Sequence, residues 1–152
     1  MASPERSLDL PPVYFVVALA LMALLDYVVP VFPLVVKPYR YAGIAVMALA
    51  LALGLWASAL FRLAGTAVIP FRPASALVTR GPYRFTRNPM YLGLTGILLG
   101  AAILMGSLTP FIVIPGFMAL IAERFIAREE AMLEQAFGVA YLDYKARVRR
   151  WL

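Results

Sequence analysis

The sequence contains no cysteine and no histidine. Without cysteine there are no disulfides, no thiolate metal sites and no thiol nucleophile. Without histidine the chain lacks the commonest metal ligand and the commonest general base at neutral pH. Charge is also scarce: 14% of the 152 residues are charged, against 63% that are hydrophobic. That balance is too apolar for a soluble domain of this size and points to an integral membrane protein. One compact unit is expected of so short a chain. Acidic residues are missing altogether between residues 27 and 122. No Gly-x-Gly-x-x-Gly turn is present, so a Rossmann methyltransferase or dehydrogenase has no support. Internal repeats and low-complexity tracts are absent too. The net charge of +6 suits an anionic surface. With no long basic arm or soluble nucleic-acid module, the membrane rather than a nucleic acid is the expected partner.

Long apolar runs are what the chain does have. Residues 13–36, 41–64, 90–105 and 110–127 read as about four transmembrane helices, since a helix needs about 20 residues to cross the hydrocarbon. The predicted fold class is therefore all-α: an integral membrane helical bundle with a C-terminal amphipathic helical segment over 128–152. Asp26, followed by Pro30 and Pro33, interrupts the first run near its far end. Gly43 and Gly54 allow close helix packing in the second. The loop 65–89 carries Pro70, Pro73, Pro82 and Pro89, and only residues 76–79 look strand-like. Pro110 opens the fourth run, and Pro115-Gly116 predicts a kink in it. In the last segment Leu133, Phe137, Tyr141, Tyr144, Val148 and Trp151 recur at helical spacing, with Gly138 allowing a bend. That face suits a helix lying on the bilayer or one capping a pocket made by the central loop. With four spans, twelve Lys and Arg residues fall on the side of both termini and the central loop, and two, Lys37 and Arg40, on the other. This bias predicts a multi-pass protein with both termini and the site in the cytoplasm.

Two stretches carry candidate chemistry. The first is 80–91, where Gly81-Pro82 and Asn88-Pro89 constrain the backbone around Arg80, Arg84, Arg87 and Asn88, with Arg72 just upstream. It reads either as a basic loop beside lipid headgroups or as an anion-recognising site. The second is Glu129-Glu130. Along a helix Glu130 lines up with Glu123 and Glu134 as an acidic stripe, which is either a wet face or a binding element. Carboxylates suit ammonium and ribose hydroxyl groups, and arginines suit a carboxylate. Together they fit a zwitterion such as the amino-acid end of S-adenosylmethionine. Carboxylate pairs also serve hydrolysis or hard metals, but adjacent glutamates point to different helix faces, so no metal site is predicted. Tyr83, Tyr91, Tyr141 and Tyr144 suit interfacial anchors, or an adenine pocket beside a sulfonium cation.

Leu77-Val78-Thr79-Arg80-Gly81-Pro82-Tyr83, then Arg87-Asn88-Pro89-Met90-Tyr91-Leu92-Gly93, resembles the signature of the isoprenylcysteine carboxyl methyltransferase family. Glu129-Glu130-x-x-Leu133, then Phe137-Gly138-x-x-Tyr141-x-x-Tyr144-x-x-x-Val148, is similar to its second signature. Phospholipid methyltransferases share the Asn-Pro-Met-Tyr and Glu-Glu elements. The resemblance implies a single membrane-embedded domain over 1–152 that uses S-adenosylmethionine and releases S-adenosylhomocysteine. It implies that Leu77, Val78, Gly81, Tyr83, Asn88, Pro89, Tyr91, Glu129 and Glu130 line the cofactor pocket. Arg87, Asn88 and Glu130 become the candidate catalytic residues, and Arg147 and Arg149 further groups for an anion. Two departures stand out: Asn88 occupies a position where many carboxyl methyltransferases have histidine, and Arg149-Arg150-Trp151-Leu152 replaces the usual proline near the end.

The implied reaction is direct methyl transfer to a membrane lipid or lipophilic small molecule entering from the bilayer. A carboxylate acceptor is already ionised and needs no base, which suits a chain without histidine. The alternatives are phospholipid ethanolamine N-methylation, a sterol-type reductase, and a non-enzymatic helical membrane scaffold.

Overall fold

The computed structural model describes residues 10–66 and 74–152. Arg6, Pro70, Arg72 and Pro73, together with most of the N-terminal tail, lie outside the described residues. The regular elements are all helices: α1 (Pro11–Val28), α2 (Ala42–Leu63), α3 (Pro89–Met105), α4 (Val113–Ile121), α5 (Ala127–Phe137) and α6 (Val139–Arg147). Among the described residues three continuous helical stretches, Pro11–Val28, Tyr39–Leu63 and Thr109–Phe137, are long and apolar enough to cross a membrane. The fourth apolar helix, α3, has 17 residues. At 1.5 Å per residue it covers about 25 Å, less than the roughly 30 Å of a bilayer core.

Several boundaries differ from those read in the sequence. The 13–36 run is helical only to Val28, because Pro30 and Pro33 cannot continue the ladder. Residues 76–79 form no strand, since among the described residues no other strand is there to pair with them. Pro115 sits in the first turn of α4, where a missing N–H is tolerated. A π-helical turn follows at Ala122–Ile126.

Where length suggests one compact unit, the chain divides into two, interleaved in sequence because α2 and α3 each contribute to both. One unit holds residues up to Ala48 together with Thr95–Ile121. In it α1 packs on α4 and on the 3-10 turn Thr109–Ile112, with Met22 fully buried. Asp26 is half-buried, and its carboxylate accepts a hydrogen bond from Ser107. Thr109 donates its hydroxyl to the Val29 carbonyl at 2.6 Å and accepts from Val31 N at 3.1 Å. Arg40 caps the end of α3, donating to the carbonyls of Leu104 and Met105. These contacts give the polar groups at the ends of apolar helices protein partners.

The second unit holds Leu49–Leu94 and Ala122–Leu152. Here α2 and α3 approach backbone to backbone. A Cβ on Gly93 would lie 2.9 Å from the Ala50 carbonyl oxygen and 3.2 Å from the Gly54 backbone. Ala57, Leu60, Val78 and Tyr83 form a buried cluster, with Phe61, Ala64 and Met90 against it. Ser75 closes the base of the central loop, donating from N to the Thr66 hydroxyl at 3.1 Å and from its own hydroxyl to the Gly65 carbonyl at 3.0 Å. Gly138, at φ +52°, ends α5 and starts α6. Most L-residues avoid that conformation, so the bend expected there is built on the residue that accommodates it.

Candidate functional site

All the candidate site residues fall in the second unit. Gly81 adopts φ +62° and starts the 3-10 turn Gly81–Arg84, with Pro82 just inside it. Phe85 N and Thr86 N both donate to the Pro82 carbonyl, at 3.1 and 3.2 Å. The turn leaves Arg84 and Phe85 exposed and buries Tyr83 and Thr86. Asn88 then precedes α3, with Pro89 as its first residue. One turn further on, Tyr91 is buried.

The end of the chain lies along this turn. Val148 is extended, at φ −119° and ψ 130°, so the chain leaves α6 there. Arg87 N donates to the Arg149 carbonyl at 2.9 Å. The Arg150 carbonyl accepts from the Thr86 hydroxyl at 3.1 Å and from Asn88 Nδ2 at 3.0 Å. Asn88 N in turn donates to Thr86 Oγ1 at 3.2 Å. Asn88, a candidate catalytic residue in the sequence, thus uses its amide to hold a backbone strap.

On α5 the two adjacent glutamates diverge, as their spacing requires. Glu129 Oε1 accepts from the Tyr91 hydroxyl at 2.8 Å. Glu130 is 5% exposed and meets two arginines. Arg150 donates from Nε to Oε1 at 3.1 Å and from Nη2 to Oε2 at 2.6 Å, while Arg87 Nη2 lies 3.3 Å from Oε1. The acidic stripe drawn from the sequence is therefore broken. Glu123 is exposed, Glu134 pairs with Lys145, and only Glu130 turns inward. The π-helical turn Ala122–Ile126, which holds Glu123, changes the phase of the helix that a constant 3.6-residue period assumes.

Tyrosines complete the cluster. The Tyr144 hydroxyl donates to the Tyr83 carbonyl at 2.8 Å, and the Tyr141 and Tyr144 rings lie 6.1 Å apart. Burial pushes the phenols of Tyr83 and Tyr144 well above the usual tyrosine range. Tyr141 is pushed up to about 12 by burial and the Glu130 carboxylate, with Arg87 pulling the other way. Its hydrogen bonds to Glu130 hold the Arg150 proton more tightly still. Among the described residues, three buried side-chain atoms have no hydrogen-bond partner: the Tyr83 hydroxyl and Arg87 Nε and Nη1.

The structure thus brings together Tyr83, Arg87, Asn88, Tyr91, Glu129 and Glu130. Leu77 is half-buried beside Val78, which belongs to the apolar cluster under Tyr83. Arg147 is exposed and bonds the Asp143 carbonyl in its own helix, and Arg149 contributes only a backbone carbonyl. Sequence reasoning missed Arg150 and Thr86. Both act at an extended end, where no helical period marks which arginine turns inward.

Helical stretches of spanning length and apolar composition among the described residues define a helical membrane protein. The sequence pattern of the phospholipid methyltransferase family matches residues 39–140, and the chain belongs to that family. An uncharacterized protein of Haemophilus influenzae is 43% identical over 63 residues, which is 41% of this chain and the whole of that protein. The family agrees with the resemblance to membrane methyltransferases carried by the two sequence motifs.

Proposed function

We propose that this protein transfers a methyl group from S-adenosylmethionine to a lipophilic small-molecule acceptor at the membrane, with O-methylation of a carboxylate as the favoured reaction. The observation that carries this reading is the buried polar cluster where the two motifs meet, Tyr91 with Glu129 and Arg87 with Glu130. Its residues fit the donor. The Tyr83 hydroxyl is buried without a partner, and the Glu129 oxygens suit ammonium or ribose hydroxyl groups. Bound there, the donor supplies an electrophilic methyl on a sulfonium. The work of the chain is then to align acceptor and methyl in a dry site, where positioning accounts for much of the rate. Tyr83, Tyr141 and Tyr144 stay neutral well past physiological pH and offer ring faces to a sulfonium cation. A carboxylate acceptor loses no proton, which agrees with a chain without histidine.

The family match favours a second reading, methylation of an ethanolamine phospholipid. That amine must lose a proton, and the closeness of Glu129 to Tyr91 in the cluster supports a role for its carboxylate in taking it. The excess of Lys and Arg on one side supports a cytoplasmic site with both termini on that side.

The test is calorimetric binding of S-adenosylhomocysteine to the detergent-purified protein and to Glu130→Gln. Binding by the wild type that is lost in the variant is expected. A folded wild type that fails to bind, in detergent and again in lipid, refutes the reading. Turnover of labelled donor with a prenylated or long-chain carboxylate, against phosphatidylethanolamine, separates the two acceptors.

A further inference from the structure

Two exposed stretches flank the strap and take no part in the buried cluster. The first is the tip of the 3-10 turn, Arg84 and Phe85, with Arg80 just before the turn. Phe85 is 73% exposed, although Tyr83 and Thr86 on either side of the tip are buried. The second is the end of the chain, where Arg147, Arg149 and Leu152 are exposed. A parallel bridge between Thr86 and Arg149 sets the two side by side. Among the described residues no ion pair reaches Arg80, Arg84 or Arg149. No acidic residue occurs between 27 and 122. On α5, Glu129 is taken by Tyr91, Glu130 by Arg87 and Arg150, and Glu134 by Lys145. Asp143 on α6 is exposed, and Arg147 bonds its main-chain carbonyl.

The end of a spanning helix fixes the depth of this face. The stretch Tyr39–Leu63 has 25 residues, about 37 Å at 1.5 Å per residue, against roughly 30 Å of hydrocarbon. Its last turn, with Arg62 and Leu63 exposed, therefore stands among the headgroups. In that turn Phe61 packs on Tyr83, with ring centres 5.2 Å apart, and Tyr83 directly precedes Arg84 and Phe85. The tip is thereby held at headgroup depth. There an exposed aromatic ring can enter the apolar boundary while the guanidinium groups beside it meet lipid phosphates.

The bridge also carries a charge cost. Closing the strap brings Arg149, two residues after Arg147, beside the segment that bears Arg84. The like charges oppose the bonds that hold the strap: Arg87 N to the Arg149 carbonyl, and Thr86 and Asn88 to the Arg150 carbonyl. Anionic headgroups set against these guanidinium groups remove that opposition. We propose that Arg84, Phe85 and Arg149 form a docking face for anionic phospholipid, and that lipid bound there holds the strap closed over the buried cluster. The charge of the leaflet then regulates the site, whatever the site transfers.

The experiment places the protein in nanodiscs of phosphatidylcholine alone, or of an equal mixture with phosphatidylglycerol, and follows hydrogen exchange at the Arg87 amide. The wild type is expected to exchange about threefold or more slowly with phosphatidylglycerol present. That gain should shrink as salt is raised. Arg84→Gln combined with Arg149→Gln keeps every main-chain bond of the strap and should lose the gain. Lys37→Gln removes an exposed charge before the stretch that ends at Leu63 and should keep it. Inorganic phosphate added to phosphatidylcholine discs should not reproduce it. Equal exchange of the wild type in the two lipids overturns the proposal. So does a gain that survives in the double variant or at high salt, an equal loss in Lys37→Gln, or a full gain from inorganic phosphate. If the double variant fails to fold, the salt series and the phosphate addition on the wild type still decide.

Discussion

Arg150 lays its guanidinium along the carboxylate of Glu130, Nε to Oε1 at 3.1 Å and Nη2 to Oε2 at 2.6 Å. The pair is lopsided: the Glu130 side chain is 7% exposed and that of Arg150 41%. Removing the arginine therefore leaves a buried carboxylate with Arg87 as its remaining ion-pair partner. Arg150→Ala is expected to cost about 1–2 kcal/mol, less than the ~3–5 kcal/mol typical of a fully buried pair, because water reaches the Arg150 side. A lower unfolding midpoint in detergent, partly restored in Arg150→Lys, is the expected result.

Thr86 is the hub of the strap. It is 2% exposed, donates to the Arg150 carbonyl and accepts from Asn88 N. Thr86→Val keeps the shape and removes both bonds, at about 1–3 kcal/mol for the groups left unmet. Hydrogen exchange is the sharper readout. The Arg87 amide, bonded to the Arg149 carbonyl, should exchange faster in Thr86→Val while amides within α3 keep their protection.

The Tyr91–Glu129 hydrogen bond, 2.8 Å long, links α3 to α5 at the proposed donor site. Tyr91→Phe should weaken S-adenosylhomocysteine binding by roughly tenfold, about 1.4 kcal/mol. Unchanged affinity by calorimetry would remove this pair from the donor site.

Gly93 allows α2 and α3 to touch. In Gly93→Ala the new methyl meets the Ala50 carbonyl oxygen at 2.9 Å and the Gly54 backbone at 3.2 Å, and backbone has little room to yield. A loss of about 1–3 kcal/mol is expected, read as a lower unfolding midpoint. Gly116→Ala is the control, since nothing lies within 4 Å of a Cβ there.

The buried tyrosines give the protein an alkaline limit. Tyr141 ionises at about 12 when folded, against an ordinary value of 10.0. Between those values the unfolded chain has released a proton that the folded one still holds, so stability falls as pH rises through the window. Burial pushes Tyr83 and Tyr144 the same way. A pH titration followed by phenolate absorbance should show these tyrosines ionising together with unfolding.

Much of this was legible in the sequence because it rests on local rules. The apolar runs gave the helices, Gly138 gave the bend, and Asn88-Pro89 gave the start of α3. The Glu129-Glu130 pair, read with the 80–91 stretch, gave two sides of the cluster. What was not legible depends on geometry that no period encodes. Arg150 rather than Arg147 or Arg149 reaches Glu130, because the chain leaves its helix at Val148 and no helical period carries past that point. Asn88 stood out as a chemical group, but its hold on the end of the chain was not legible, since its partner is a main-chain carbonyl 62 residues away. The inward turn of Glu130 rests on the π-helical segment, which composition does not announce.

That segment, Ala122–Ile126, makes length a constraint in its own right. Each residue in a helix turns the chain by about 100°. Deleting any one of the five, whichever side chain it carries, should swing Glu129 and Glu130 around the axis and away from Tyr91, Arg87 and Arg150. Point substitutions on the exposed side of this stretch, at Glu123 or Arg124, leave that count intact. Across relatives of this protein, spacing between the apolar helix and the paired glutamates should therefore be held more strictly than the residues that fill it.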